Sequence, residues 1–382
     1  MIVSRPRIAF AITHSEAAGA QAVWADLALA FRDRDCDVFL IAIYPSQRQL
    51  LKVGHGLSWT HCVERIPRTA SDVISAVIKA RKLLASIKAD VIFTALPAAN
   101  VIFPIINGCT RRPAKVYTSH HSPTFTHNCL LNSIDNFVGT SGFVDGVICV
   151  SHAVKSSLER KFDRYRSKCS VIRNALPPEI EAHINKLALD DNSVPQARKK
   201  IVACGRLAAQ KNYSVLIRAM AEVRDAQLEI LGEGPDQASL QALARECGVE
   251  HRVTFSGVKE RHDALKIMAQ SQIFVQPSLF EGHSLAIVEA SKLGLPIIVS
   301  SVPSQSEAVT RSDQTICALT HNVDDHVELA CCIKLLLHDD AEFHRYCALS
   351  KSLGVEVNFA QMVDQYASLV LGHMSGYSQP VL

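Results

Sequence analysis

The sequence of 382 residues predicts an α/β protein built as two parallel-sheet domains. Three observations carry this. Apolar runs of strand length alternate with amphipathic stretches from Arg7 to Asn174. Pro177-Pro178 and a polar stretch through Asp190-Asp191-Asn192-Ser193 and Arg198-Lys199-Lys200 then interrupt the pattern. From Ile201 the alternation resumes and lasts to about Ser352. Strands alternating with helices wind into parallel sheets with helices on both faces. The expected domains are residues 1–176 and 201–352, with a linker over 177–200 and a closing segment over 353–382, which contains an amphipathic helix from Gln361 to Leu371.

In the first half, Arg7 to Ile12 makes a strand, and Ala18-Gly19-Ala20-Gln21 opens a helix. Asp33-Arg34-Asp35-Cys36-Asp37 precedes the strand Val38 to Ile43. Its D-x-D pattern could bind a metal, but it falls at the edge opposite the strands' carboxyl ends and reads as a polar turn. Val116 to His121, Val147 to Ser151 and Val171 to Asn174 follow as strand ends.

In the second half, Ile201 to Leu207 ends a strand and leads to Gln210-Lys211-Asn212 at a helix start. Leu228 to Pro235 is a strand and tight turn. Its Gly232-x-Gly234 lacks the third glycine of a dinucleotide fingerprint, because Gln237 stands there, and no suitable acid follows. Val253 to Gly257 is a short strand. Ile273 to Gln276 is another, followed by Pro277 to Ala290. Here Glu281 sits in the loop and Glu289 about two turns into the next helix, which Gly294 and Pro296 stop before a strand at Leu295 to Val299. A helix amino end near Ser284 suits a phosphate, and two carboxylates suit hydroxyl protons. Together they suggest a phosphate flanked by polyols, a nucleotide sugar.

The Glu281–Glu289 spacing resembles the E-x7-E motif of retaining glycosyltransferases of family 4, which have the GT-B architecture of two Rossmann-like domains facing across a cleft. Gly205-Arg206-Leu207 with Lys211-Asn212 resembles that family's G-R-L…K-N element, and Leu228 to Pro235 its L-x-I-x-G-x-G-P segment. The resemblance implies that Arg206 and Lys211 hold the donor diphosphate and Gly232 and Gly234 approach the nucleotide. It places Glu281, Gly282, His283, Ser284 and Leu285 on sugar and phosphate, and Glu289 on ribose. Thr118-Ser119-His120 resembles the family's T-x-H, which puts His120 near the transferred sugar, with His121 as its competitor. Gly19 remains as a donor contact where the family usually has two glycines, since Ala18 departs from the pattern; Ala175 departs likewise. The family mechanism implies retention, with the leaving phosphate taking the acceptor proton. Neither metal nor cofactor is expected. The donor would be UDP- or GDP-linked, and the acceptor a glycan or lipid-linked glycan bound by the first domain, with loops such as Thr124 to Asn136 choosing it. Two rivals stay open: an epimerase or hydrolase of nucleotide sugars, and a non-catalytic partner subunit.

Composition narrows the class. Hydrophobic residues make up 48 % and charged residues 20 %, as in a globular protein with a substantial core. The net charge of +3 divides into +10 over residues 1–176 and −7 over the remainder. Lys155, Arg160, Lys161, Arg164, Arg166 and Lys168 form the densest basic cluster. It reads first as a solvated helix face. Attraction to an anionic bilayer or lipid diphosphate is the alternative, at about 1 kcal/mol per cation. No nucleic-acid partner is expected. The twelve cysteines show no paired spacing and read as buried thiols of a reducing compartment. Ile8 to Ile12 is too short for a signal core. Val91 to Gly108 carries Pro97, Asn100 and Pro104, and so reads as strand and helix, not a membrane span. The expected location is the cytoplasm, with the inner face of the cytoplasmic membrane as the alternative.

Overall fold

The structure is a computed structural model describing residues 5–16, 18–45, 53, 56–110, 113–189 and 199–372. The chain divides into two compact units, Met1–Arg173 with Ala360–Leu382, and Asn174–Phe359.

The first unit holds β1 (Arg7–His14), β2 (Asp37–Tyr44), β3 (Trp59–His61), β4 (Val91–Ala95), β5 (Lys115–His120), β6 (Gly146–Cys149) and β7 (Cys169–Val171). They form one parallel sheet ordered β3-β2-β1-β4-β5-β6-β7. Its helices are α1 (Gly19–Asp33), α2 (Ala70–Ile87), α3 (Pro97–Gly108), α4 (Cys129–Thr140), α5 (His152–Ser156) and α6 (Asp163–Arg166). Ile8 to Ile12 and Val91 to Ala95 are buried throughout, as near-continuous apolar strands covered on both faces must be. A capping box of Thr69 and Asp72 starts α2, and Pro97 starts α3.

The second unit holds β8 (Lys199–Cys204), β9 (Ala226–Leu231), β10 (Val253–Phe255), β11 (Ile273–Gln276), β12 (Ile297–Ser300) and β13 (Leu319–His321), ordered β10-β9-β8-β11-β12-β13 and all parallel. Its helices are α7 (Pro178–Leu189), α8 (Tyr213–Glu222), α9 (Gln237–Glu246), α10 (Arg261–Ala269), α11 (Leu285–Leu293), α12 (Pro303–Ala308), α13 (His326–His338) and α14 (Asp340–Glu356); α15 (Phe359–Leu371) follows. Strand order reverses once in each sheet, between β1 and β4 and between β8 and β11. Such switch points leave a crevice at the strands' carboxyl ends.

Two expected boundaries move. The linker 177–200 contains α7, whose Pro178 opens the helix and whose Glu179 and Glu181 suit its positive end. Ile180 and Ile184, one turn apart, are buried with Val202, Leu265 and Phe274 of the second unit. Residues 190–198 of the expected linker lie outside the described residues, and Lys199-Lys200 opens β8. At the other end, α14 runs to Glu356, so the closing segment starts later than residue 353. Helix α15 belongs to the first unit. Tyr366 packs its ring 6.0 Å from Trp24 and 5.3 Å from Phe93, and Tyr117 Oη donates to the Leu369 carbonyl at 3.0 Å. Residues 373–382 lie outside the described residues.

All twelve cysteines are free thiols, yet Cys109, Cys129 and Cys331 are exposed, so the buried reading does not extend to them. Among the described residues no helix is long and apolar enough to cross a membrane.

Candidate active site

In the second unit, β8 and β9 end in turns that need glycine. Gly205 has φ 147° and Gly232 φ 138°. A Cβ on Gly232 would stand 2.1 Å from the Gly205 carbonyl oxygen, and one on Gly234 would stand 2.1 Å from that of Leu207. Gly232 N–H donates to the Gly257 carbonyl at 2.8 Å. The two turns therefore pack backbone on backbone. Sequence reasoning gave Gly232 and Gly234 a nucleotide; their nearest neighbours in this structure are the chain's own strand-end loops.

The turn after β8 carries both candidate cations, and it adjoins β11 at the switch point. Ala209–Lys211 forms a short 3-10 turn, and Asn212, at φ 51°, redirects the chain into α8. This brings Lys211 Nζ within 2.7 Å of Glu281 Oε1. The Glu281 carboxylate also accepts from Ser278 Oγ at 2.7 Å, its backbone N–H donates to Ser304 Oγ at 3.0 Å, and the residue is buried. Gln210 Nε2 braces the loop on the Phe280 carbonyl at 3.1 Å. A charge-assisted pair in so enclosed a place fixes both side chains. Arg206 differs. It is exposed, and its side chain makes no hydrogen bond or ion pair with any described residue, so its guanidinium is available to an anion.

The loop from Glu281 leads to α11. Ser284 Oγ donates to Gln276 Oε1 at 2.8 Å, so no side chain caps the helix and its first N–H groups stay open. Gly282 is buried, and Leu285 begins the helix. His283 is held through its carbonyl, which accepts from Asn174 Nδ2 at 3.1 Å. Because α11 starts at Leu285, Glu289 lies little more than one turn in, not two. Its Oε1 meets Arg261 Nε at 2.9 Å.

Burial holds the Glu289 carboxyl above the usual glutamate range, with Arg261 opposing. The charged form is therefore a cost to the fold: Glu289 favours folding below its unfolded pKa and loses that contribution as pH rises through the folded one. An ionised glutamate accepts from ribose hydroxyls through both oxygens and more strongly than a protonated one, whose O–H is a donor. Nucleoside-diphosphate affinity is thus expected to fall, on acidification, at a higher pH than an ordinary glutamate would give. Calorimetric titration of wild type and Glu289→Gln with the same nucleotide separates this from protonation of the ligand. An identical pH profile in both proteins would remove Glu289 from the site.

In the first unit, β5 ends at His120. Its Nε2 lies 2.6 Å from Tyr165 Oη, which donates to Asp135 Oδ2 at 3.0 Å; Lys161 Nζ reaches the same carboxylate oxygen at 2.6 Å. All four side chains are buried. The lone phenol proton goes to Asp135, so Tyr165 accepts from His120 Nε2–H, and Nδ1 is left as a bare acceptor. That Nδ1 is buried and has no partner among the described residues. Burial pushes the His120 pKa down. It also pushes His121 down to about 3 and His127 to about 4, with His120 adding to both. Burial therefore favours the neutral imidazole of His120. His121 Nε2 pairs with Ser119 Oγ at 3.1 Å, and its ring stands edge-on to Trp24. Gly19 opens α1 without a capping side chain, and a Cβ placed on it would meet nothing within 4 Å outside its own helix and chain neighbours.

Sequence reasoning missed Asp135, Tyr165 and Asn174, and counted Lys161 among surface cations. Lys161 is spent on Asp135, and Lys168 on the carbonyls of Gly139, Ser141 and Val144. The D-x-D segment lies where expected: Asp33 ends α1, Asp35 turns the chain at φ 63° and pairs with Arg5 at 2.8 Å, and Asp37 opens β2.

Two family profiles divide the chain between them. The one described as Glycosyltransferase Family 4 matches residues 17–180, and the one described as Glycosyl transferases group 1 matches residues 186–350. The chain belongs to the GT-B glycosyltransferases. It is similar to an uncharacterized glycosyltransferase of Haemophilus influenzae, at 21 % identity over 94 % of this chain and 98 % of the relative. It is also similar to the N-acetylgalactosamine-N,N'-diacetylbacillosaminyl-diphospho-undecaprenol 4-alpha-N-acetylgalactosaminyltransferase of Campylobacter jejuni, at 27 % identity over 62 % of this chain and 60 % of that one. Among solved structures, Anabaena HepE in complex with UDP and glucose superposes with a TM-score of 0.81 at 18 % identity, over 97 % of this glycosyltransferase and 100 % of HepE. That likeness is one of fold.

Proposed function

We propose that this glycosyltransferase moves a sugar, with retention and without a metal ion, from a nucleoside-diphosphate sugar to a hydroxyl of a glycan or lipid-linked acceptor. The process served would be assembly of a cell-surface polysaccharide or glycolipid. The observation that carries this is the set of groups at the second sheet's switch point: an uncommitted Arg206, a Lys211 fixed by Glu281, and the uncapped amino end of α11. All three favour charge that builds on a departing diphosphate. In the proposed step, the acceptor oxygen bonds to the anomeric carbon as the bond from that carbon to phosphate breaks. Both events use the same face, and the leaving phosphate oxygen takes the acceptor proton. Glu289 would hold the ribose, Glu281 with Gly282, His283, Ser284 and Leu285 the sugar and its phosphate, and His120 would offer Nδ1 to a substrate hydroxyl. Gly19, Gly232 and Gly234 would line the approach to the donor.

The solved HepE complex contains UDP, which favours a UDP-linked donor over a GDP-linked one. The Campylobacter relative is named for a diphospho-undecaprenol acceptor, which favours a lipid-linked substrate. A membrane-facing surface would suit it. Leu130 and Phe137 are 70 % and 67 % exposed, Phe162 stands 5.5 Å from the Phe137 ring, and the exposed Lys155 and Arg164 lie on the adjoining α5 and α6. Peripheral contact at the inner face of the cytoplasmic membrane follows from this reading.

The test is an assay with UDP- and GDP-sugars, EDTA, and glycan-bearing lipid in anionic vesicles. The expected product depends on acceptor, keeps the donor's anomeric configuration by NMR, and forms at an unchanged rate in EDTA. Release of free sugar alone, or an inverted product, would sink the proposal. Failure to float with anionic vesicles at low salt would sink its membrane part.

A further inference from the structure

Ser284 enters α11 with φ −74° and ψ 116°, the extended backbone of a residue set to cap a helix. A serine in that place ordinarily turns its hydroxyl oxygen to an N–H of the first turn. Ser284 does not. Its side chain makes no capping bond, and Oγ donates instead to Gln276 Oε1 at 2.8 Å, back at the end of β11.

A directed set of amide bonds holds it there. Gln305, in α12, donates from Nε2 to the Gln276 backbone carbonyl at 2.8 Å. A carbonyl only accepts, so Gln305 must face it with nitrogen and turn Oε1 the other way. That oxygen accepts from Gln276 Nε2 at 3.0 Å, which leaves Gln276 Oε1 directed at Ser284. An amide oxygen also only accepts, so Ser284 must supply the proton. The backbone of β11 thus decides, through two side-chain amides, which way the Ser284 hydroxyl turns. All three side chains are buried, where such bonds are strong and water is a poor substitute.

Helix stability alone favours the opposite rotamer. A capped α11 would gain a hydrogen bond, but it would offer an anion one N–H fewer. We propose that Gln276, held by Gln305, is a positioning residue for the donor: it keeps the Ser284 hydroxyl off α11 so that the first-turn N–H groups stay open to a phosphate oxygen. Ser284 then serves the phosphate through its backbone, not its hydroxyl. The assignment rests on the reading that the donor diphosphate sits at the amino end of α11.

The experiment is a double-mutant cycle on the full chain. Wild type, Gln276→Met, Ser284→Ala and the double variant are each titrated with UDP and with GDP by calorimetry. Methionine is close to glutamine in size but has no amide oxygen to hold Ser284. Gln276→Met is expected to weaken nucleotide binding about fivefold, the factor that corresponds to one N-cap bond of about 1 kcal/mol. In the Ser284→Ala background the same change should have no effect, because no hydroxyl remains to occupy the N–H groups. A merely structural glutamine would cost the same in both backgrounds. A second readout needs no ligand. Hydrogen exchange at the Ala286 and Ile287 amides should slow in Gln276→Met and return to its former rate in the double variant. Gln305→Met frees the Gln276 amide to turn and should reproduce both results, so it serves if Gln276→Met does not fold. Equal losses of affinity in the two backgrounds, or unslowed exchange at both amides, overturn the proposal. A wild type that binds neither nucleotide removes the donor reading, and the exchange rates then decide on their own whether Gln276 governs the cap.

Discussion

Arg206→Ala is expected to lower kcat/KM by about 10²–10³, the usual cost of losing one fixed group that stabilises developing charge, and to leave the melting temperature unchanged. Both halves follow from the Arg206 side chain being exposed and unpaired among the described residues. A side chain with no partner in the free enzyme has little to contribute to folding. Steady-state kinetics and thermal unfolding on the same preparation check this. Arg206→Lys should restore part of the rate, since it returns a charge without the planar fork. Lys211 is a poorer probe of the same idea, because its removal also strips Glu281 of its cation. An unchanged kcat/KM in Arg206→Ala would take Arg206 away from the diphosphate.

Lys161→Ala is expected to cost about 3–5 kcal/mol of stability, because it leaves the Asp135 carboxylate buried without a counter-ion. Against a total of about 5–15 kcal/mol, that is enough to lower the unfolding midpoint markedly. The pair is enclosed, at 5 % and 6 % side-chain exposure, and tied at 2.6 Å. Replacing both members with apolar groups, as in Lys161→Met with Asp135→Leu, should recover much of the loss. Denaturant unfolding followed by circular dichroism distinguishes the two variants. A cost below about 1 kcal/mol for Lys161→Ala, the size seen for exposed pairs, would mean that water reaches Asp135.

The sheet of the second unit and the loop around Glu281 were legible because strand, turn and helix signals lie next to one another there. Arg206 and Lys211 stand just after β8, and Ser284 just before α11. The Lys211–Glu281 pair was not legible, since its members are far apart in sequence and meet only when β8 and β11 become neighbours. The chain of His120, Tyr165, Asp135 and Lys161 was hidden for the same reason, and Lys161 was further masked by the cations around it. Helix α7 was readable in principle. Proline at its start and apolar residues at 180, 184 and 187 spell an amphipathic helix, but two adjacent prolines and a polar sequel drew the reading towards a linker. The expected depth of Glu289 erred by nearly a turn although the helix start near Ser284 was right, since five residues from that cap make little more than one turn.

The return of α15 to the first unit also sets an order of events in the cell. Trp24 and Phe93 are made early, but Tyr366, which packs on both, emerges only after the whole second unit has been made. Residues 174–359 must be synthesised in between, which at roughly 5–20 residues per second takes about 10–40 s. Through that interval the amino-terminal core lacks its closing helix, whereas the second unit already has its whole sequence. The unit begun first is therefore completed after the second, and its aromatic cluster is the surface that a chaperone, or an unwanted neighbour, would meet in between.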